Sequence, residues 1–268
     1  MLASNVISIK DVRCYVGKAQ QIASLLHVWR PFLSNIWNAI SKSNDAKRPG
    51  APAGCIWSKQ IGGDLEWILE FLNGTKGTII RDFHLDVYKN RGRQVRIVSD
   101  ASPWGIGAWL MIDGQVVEYF YDKISAWDSA ILGLEVGSCR GQQAFESLAI
   151  LVSLRTWKRI WRQSRCSVAV KADNLAALTM TATMRAKRGP MSLIAREMAL
   201  DTADGLYSPS LVQHIPGVTN IAADTLSRMF QPGKTHVLPV FLKNAKLISV
   251  AERSRQWWRC DPAHRNAG

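Results

Sequence analysis

The sequence predicts an α/β fold: a mixed five-stranded sheet with flanking helices, preceded by a small, mostly helical segment. Three features carry that prediction. Apolar residues recur at helical spacing between Val12 and Leu72. Three strand-like runs then follow one another with short turns between them. From there helical and strand-like stretches alternate to about residue 230.

The helical region comes first. Val12, Val16, Ile22, Leu25 and Leu26 form a loose apolar face, which Pro31 is expected to interrupt. Phe32, Leu33, Ile36, Trp37 and Ile40 resume the spacing. Pro49, Gly50, Pro52 and Gly54 mark 41–54 as a linker. A second helix is expected from Trp57 through Ile61, Leu65, Ile68 and Leu72, stopped by Asn73-Gly74. The aromatic residues in these helices read as core packing.

The pattern changes near Arg93. Val95 to Ser99 is β-branched and predicts a strand. Gly105-Ile-Gly107 permits a tight path into a second strand at 108–112. Asp113-Gly114 is a hairpin turn, and Val116 to Tyr121 is the third strand. A loop is expected over 125–141. Then follow a helix (142–162), a strand (167–171), helices (174–184 and 191–203), a strand (211–215) and a last helix (221–229). Beyond Gln231, prolines and a basic, aromatic stretch predict a connector or flexible basic arm. The expected division is 1–92, 93–230 and 231–268.

The chain has 268 residues and a net charge of +13. Such a balance favours a polyanionic partner, bound through phosphate contacts and counterion release. The excess lies in the flanks, +6 over 1–94 and +5 over 231–268, against +2 between them. Five scattered cysteines show no zinc-ligand spacing and fit a reducing compartment. No apolar run approaches a membrane span and no signal peptide is apparent, so an intracellular setting, cytoplasmic or nuclear and without a membrane partner, is expected.

Four acids stand in distinctive frames. Asp100 ends the run Val95-Arg-Ile-Val-Ser-Asp and precedes Ala-Ser-Pro-Trp-Gly-Ile-Gly-Ala. Glu146 opens Glu-Ser-Leu-Ala. Asp173 lies in Ala-Asp-Asn, and Asp224 in His214-Ile-Pro-Gly-Val-Thr-Asn-Ile-Ala-Ala-Asp-Thr-Leu-Ser-Arg228. Two acids at strand ends and two on helices can converge on divalent metal ions, which as hard cations take oxygen ligands. The order of these blocks resembles a type 1 ribonuclease H domain, and their wording is similar to that of gypsy-like and DIRS-like retroelement reverse transcriptases. The resemblance covers 95–230. Val16-Gly-Lys, Arg30-Pro-Phe-Leu and the Trp57 helix resemble, more loosely, the thumb and connection region that precedes it.

The resemblance implies a ribonuclease H-like sheet and two Mg²⁺ ions, with Mn²⁺ able to substitute. It implies that Asp100 bridges both ions and that Asp224 helps hold the one orienting the attacking water. Glu146 and Asp173 would help hold the ion at the leaving oxygen, with Glu146 also near a ribose 2′-hydroxyl. His214 would assist proton transfer or product release, and Asn220 would stabilise the turn before the last helix. The implied substrate is an RNA/DNA hybrid. No Tyr-x-Asp-Asp motif occurs, so any polymerase partner would come from a parent polyprotein or in trans. Arg155, Lys158, Arg159, Arg162 and Arg165 follow the Glu146 helix at spacings that place them on one side, as phosphate contacts or as a solvated helix end. Arg185, Lys187 and Arg188 form a second candidate group for nucleic acid. A non-catalytic binding module and a strand-transfer enzyme of the same superfold are the other readings.

Overall fold

A computed structural model describes residues 4–43, 51–77, 89, 93–163, 166–186, 189–207 and 211–260. By contact the chain forms two compact units. One comprises 1–81, 184–205 and 262–268; the other comprises 82–183 and 206–261.

The first unit packs α1 (Ile9–Leu25), α2 (Arg30–Ser43), α3 (Gly62–Leu72) and, from further along the chain, α8 (Pro190–Ala203). Its core holds Trp29, Phe32, Leu33, Ile36 and Phe71, with the Phe32 and Trp67 rings stacked at 3.9 Å. Two expectations are corrected here. Pro31 lies at the second position of α2, where its missing N–H costs nothing, so it opens that helix after a 3-10 turn (His27–Trp29). Trp57 is not helical: β1 (Val6–Ser8) pairs antiparallel with β2 (Cys55–Trp57), a ribbon the helical pattern concealed.

The second unit is built on a six-stranded sheet of order β7-β6-β3-β4-β5-β8. The central strands β3 (Arg93–Ala101), β4 (Gly105–Ile112) and β5 (Gln115–Lys123) form an antiparallel meander. β6 (Cys166–Ala172) runs parallel to β3, and β7 (Leu211–His214) parallel to β6. All five expected strands are present. The sixth, β8 (Lys246–Leu247), adds parallel to β5. The expected loop over 125–141 contains a helix, α4 (Ala126–Leu132). A reciprocal Ser125–Asp128 capping box starts it and left-handed Gly133 ends it.

Helices cover both faces of the sheet. Side chains alternate along a strand, so Ile97 and Asp100 point to opposite sides. On one side lies α5 (Gln142–Thr156). The expected long helix breaks after it at fully buried Trp157, whose Nε1 donates to Glu118 Oε2 on β5 (2.9 Å), and continues as α6 (Lys158–Gln163). On the other side lies α9 (Ile221–Ser227), against β3 and β4. Between β6 and β7 runs α7 (Leu175–Thr183).

Residues 232–260 pack on this unit and do not hang free. Leu242 is fully buried with Tyr119 and Leu226. Arg253 is buried and donates three times: Nε to Asp128 Oδ2 (2.8 Å), Nη1 to Asp122 Oδ2 (2.6 Å) and Nη2 to the Lys123 carbonyl (2.6 Å). It thereby ties the segment to the end of β5 and the first turn of α4.

Two substitutions test this packing. Arg253→Ala leaves Asp128 buried without its cation and is expected to cost about 3–5 kcal/mol in urea unfolding. Arg253→Lys restores only part, because one ammonium cannot serve three acceptors in a fixed fork. A Cβ on Gly107 would lie 2.4 Å from Leu226 Cβ and 2.6 Å from Ser227 N. Gly107→Ala is therefore expected to cost at least about 1–3 kcal/mol in the same assay.

Candidate metal centre

Parallel strands end on the same edge of a sheet, and β3 and β6 are parallel neighbours. Asp100 is near the end of β3, and Asp173 directly follows β6. Glu146, on the second turn of α5, reaches the same edge. Asp100, Glu146 and Asp173 each offer a carboxylate oxygen, and these oxygens all lie within 4.8 Å of one another. Ligands to one hard cation sit about 2.0–2.6 Å from it, hence up to about 4–5 Å apart. The three can hold a divalent ion.

Electrostatics support the same fit. Burial pushes Asp100 up to about 7, opposed by the Ser227 hydroxyl bond and helped by the charges of Asp173 and Asp224, with Arg228 pulling the other way. Burial, then the Asp100 charge, raises Glu146 well above the ordinary carboxylate range, while Gln142 opposes the rise. Glu146 Oε2 is buried and has no hydrogen-bond partner among the described residues. A buried, unpartnered oxygen among repelling carboxylates is the environment a cation would relieve.

The neighbouring groups hold the acids in place. Ser227 Oγ donates to Asp100 Oδ2 at 2.7 Å. Ser102 Oγ donates to the Ser227 carbonyl at 2.7 Å and accepts from the Gly105 N–H at 3.1 Å. Gln142 Nε2 bonds both Glu146 Oε1 (2.9 Å) and the Ala101 carbonyl (2.5 Å). Asn220 is buried with Nδ2 3.5 Å from Asp100 Oδ1, so it faces the site as well as preceding α9. Sequence reasoning missed Ser102, Gln142 and Ser227. Ser227 and Ser102 lie inside the quoted blocks, and Gln142 is one helical turn before Glu146.

Other expected residues have different surroundings. Asp224 is not one of the three convergent carboxylates. It is partly exposed and accepts from Arg228 Nε at 2.7 Å, one turn along α9. His214 is exposed, with Nε2 3.0 Å from the Asp173 carbonyl. Arg155 stacks over Trp257 at 4.2 Å and donates to its carbonyl, and Arg159 pairs with Glu118. Lys158 is exposed. Arg185 is exposed and close enough to Arg30 that its charge, after burial, lowers the Arg30 pKa. Arg165, Lys187, Arg188 and the side chain of Arg162 lie outside the described residues.

No protein-family model matches the chain, and no curated protein does. Solved structures align with about half of it, two ribonucleases H1 among them. Ribonuclease H1 from the halophilic archaeon Halobacterium salinarum NRC-1 is 15% identical, with 51% of this chain and 96% of that one covered and a TM-score of 0.37. LC11 ribonuclease H1, isolated from compost by a metagenomic approach, is 14% identical, with 50% and 91% covered and a TM-score of 0.34. At these values the likeness assigns no activity. Among the described residues, no helix is long and apolar enough to cross a membrane.

The raised acids make a pH prediction. Unfolded carboxyls titrate near 4, so between about pH 4 and 7 the folded state binds more protons than the unfolded one. The stability of the metal-free protein should therefore fall as pH rises through that window. In thermal unfolding with EDTA, the melting temperature is expected to drop from pH 5 to pH 8, and to drop less in Asp100→Asn. Saturating Mg²⁺ should flatten the profile.

Proposed function

We propose that this protein is a divalent-metal-dependent endonuclease that cleaves the RNA strand of RNA/DNA hybrids, as the ribonuclease H portion of a retroelement reverse transcriptase. The observation that carries this reading is the meeting of Asp100, Glu146 and Asp173 at one sheet edge, two of them buried and one with an unpartnered oxygen. The net charge of +13 suits a polyanionic substrate. The retroelement setting rests on the wording of the four acidic blocks.

Bound Mg²⁺ or Mn²⁺, two ions in this reading, would supply activation of the attacking water and stabilisation of the leaving 3′-oxygen. Asp100, Glu146 and Asp173 would hold them, and Ser227 and Gln142 keep the carboxylates aimed. Asp224 would serve as a fourth ligand once released by Arg228, a substrate phosphate being the competing acceptor for that guanidinium. His214 stands at the rim, where its ring can take or give a proton beside Asp173. Residues 93–230 form the nuclease module, 1–92 a thumb and connection remnant, and 231–268 a basic extension. A polymerase domain would come from the parent polyprotein or in trans.

Incubation of the chain with labelled RNA/DNA hybrid, duplex DNA and Mg²⁺ tests the proposal. Hybrid-specific cleavage leaving 5′-phosphate ends is expected, lowered more than about a hundredfold in Asp100→Asn and Asp173→Asn, since even outer partners of a metal site are worth 10–100-fold. Cleavage no greater than in those variants would remove the enzyme reading. Cleavage of duplex DNA would indicate a different nuclease of the same superfold.

A further inference from the structure

The sheet face that carries Asp100 also carries two cations with no acid opposite them. Alternation along β3 puts Arg96, Val98 and Asp100 on one side. The parallel register sets Ala169 beside Arg96 and Lys171 beside Val98. Lys171 is thus the diagonal neighbour of Arg96 on that face, about 8 Å away by strand spacing and rise. Arg96 is exposed and Lys171 half-buried. Among the described residues neither meets a carboxylate. Arg96 Nη1 donates to the Met111 sulfur at 3.8 Å, and a thioether is a weak acceptor. Burial and then the Arg96 charge lower the Lys171 pKa.

Two like charges side by side on a sheet cost stability, and nothing in the fold uses them. The helix-end arginines differ: Arg155 and Arg159 are already engaged by Trp257 and Glu118. Position gives the pair a use. Lys171 is two residues before Asp173 and Arg96 four before Asp100, about 7 and 13 Å along their strands. Phosphates of one duplex strand recur about every 3.4 Å along the axis, so these reaches span two to four nucleotides.

We propose that Arg96 and Lys171 form a phosphate seat on this sheet face, binding the backbone of the nucleic acid two to four nucleotides from the acid cluster. The seat rests on the hybrid-cleaving reading above and supplies it with a grip that the helix-end arginines do not offer. Arg96 presents a planar fork to phosphate oxygens, and Lys171 a point charge.

Binding of a short labelled RNA/DNA hybrid, followed by fluorescence anisotropy over a salt series, tests the seat. It is measured in the Asp100→Asn chain, so that cleavage does not interfere, with and without Arg96→Gln/Lys171→Gln. Loss of two phosphate contacts should make the slope of log affinity against log salt shallower by about 1.8, with affinity lower by about tenfold to a hundredfold near 0.1 M salt. The charge-swapped pair, Arg96→Lys/Lys171→Arg, should keep the slope, which separates lost charge from a disturbed sheet. An unchanged slope and affinity in the Gln pair would overturn the seat. If the unmodified chain cleaves hybrid while the slope stays unchanged, the seat fails and the nuclease reading stands. If the slope falls but nothing is cleaved, the seat stands and the nuclease reading fails.

Discussion

The candidate centre depends on the close approach of α9 to the backbone of β4. Gly107 is the direct cross-strand partner of Asp100. A side chain there would run into Leu226 and the Ser227 N–H, and one on Gly105 would lie 2.8 Å from the Ser227 and Asp122 carbonyls. The two glycines let helix and strand meet at contact distance. Only then can the Ser227 hydroxyl reach Asp100 across 127 positions of sequence, with Ser102 holding the Ser227 carbonyl from below. The Gly-Ile-Gly and Leu-Ser-Arg segments are therefore two halves of one joint. Side chains that look like bystanders in the sequence decide how the Asp100 carboxylate is aimed.

This joint holds acids where they repel. Asp100 and Glu146 are both buried; burial and then the Asp100 charge raise Glu146, and burial with the Asp173 and Asp224 charges raises Asp100. The unpartnered Glu146 oxygen alone costs about 1–3 kcal/mol. Other buried acids face a cation: Asp128 with Arg253 at 2.8 Å, and Asp64 with Arg196 at 3.7 Å as well as Asn35 at 2.6 Å. That contrast makes the sheet edge notable. A fold able to neutralise buried carboxylates leaves these ones short of positive charge, a stability loss of the kind tolerated at sites of function.

Much of this architecture was legible from local pattern. The five main strands follow β-branched runs, and the convergence of three acids follows from placing two at the ends of adjacent parallel strands. What escaped depended on partners distant in sequence. β1 and β2 are three-residue strands that make sense only as a pair across some fifty residues. The packing of the C-terminal segment hangs on Arg253, whose three acceptors lie about 130 residues away. Helical spacing put five basic residues on one side but could not reveal that Trp257 and Glu118 would claim two of them. The α4 helix was a different kind of miss, since its Ser-x-x-Asp start and Gly133 stop are local signals.

The central claim is that Asp100, Glu146 and Asp173 jointly hold a divalent cation. Anomalous diffraction from crystals of the unmodified chain soaked in Mn²⁺ tests it most directly. The account predicts a manganese peak within about 2.0–2.6 Å of oxygens from all three carboxylates, absent from the Asp100→Asn crystal. Ordered carboxylates with no peak between them, at Mn²⁺ concentrations that occupy other sites in the same crystal, would contradict it.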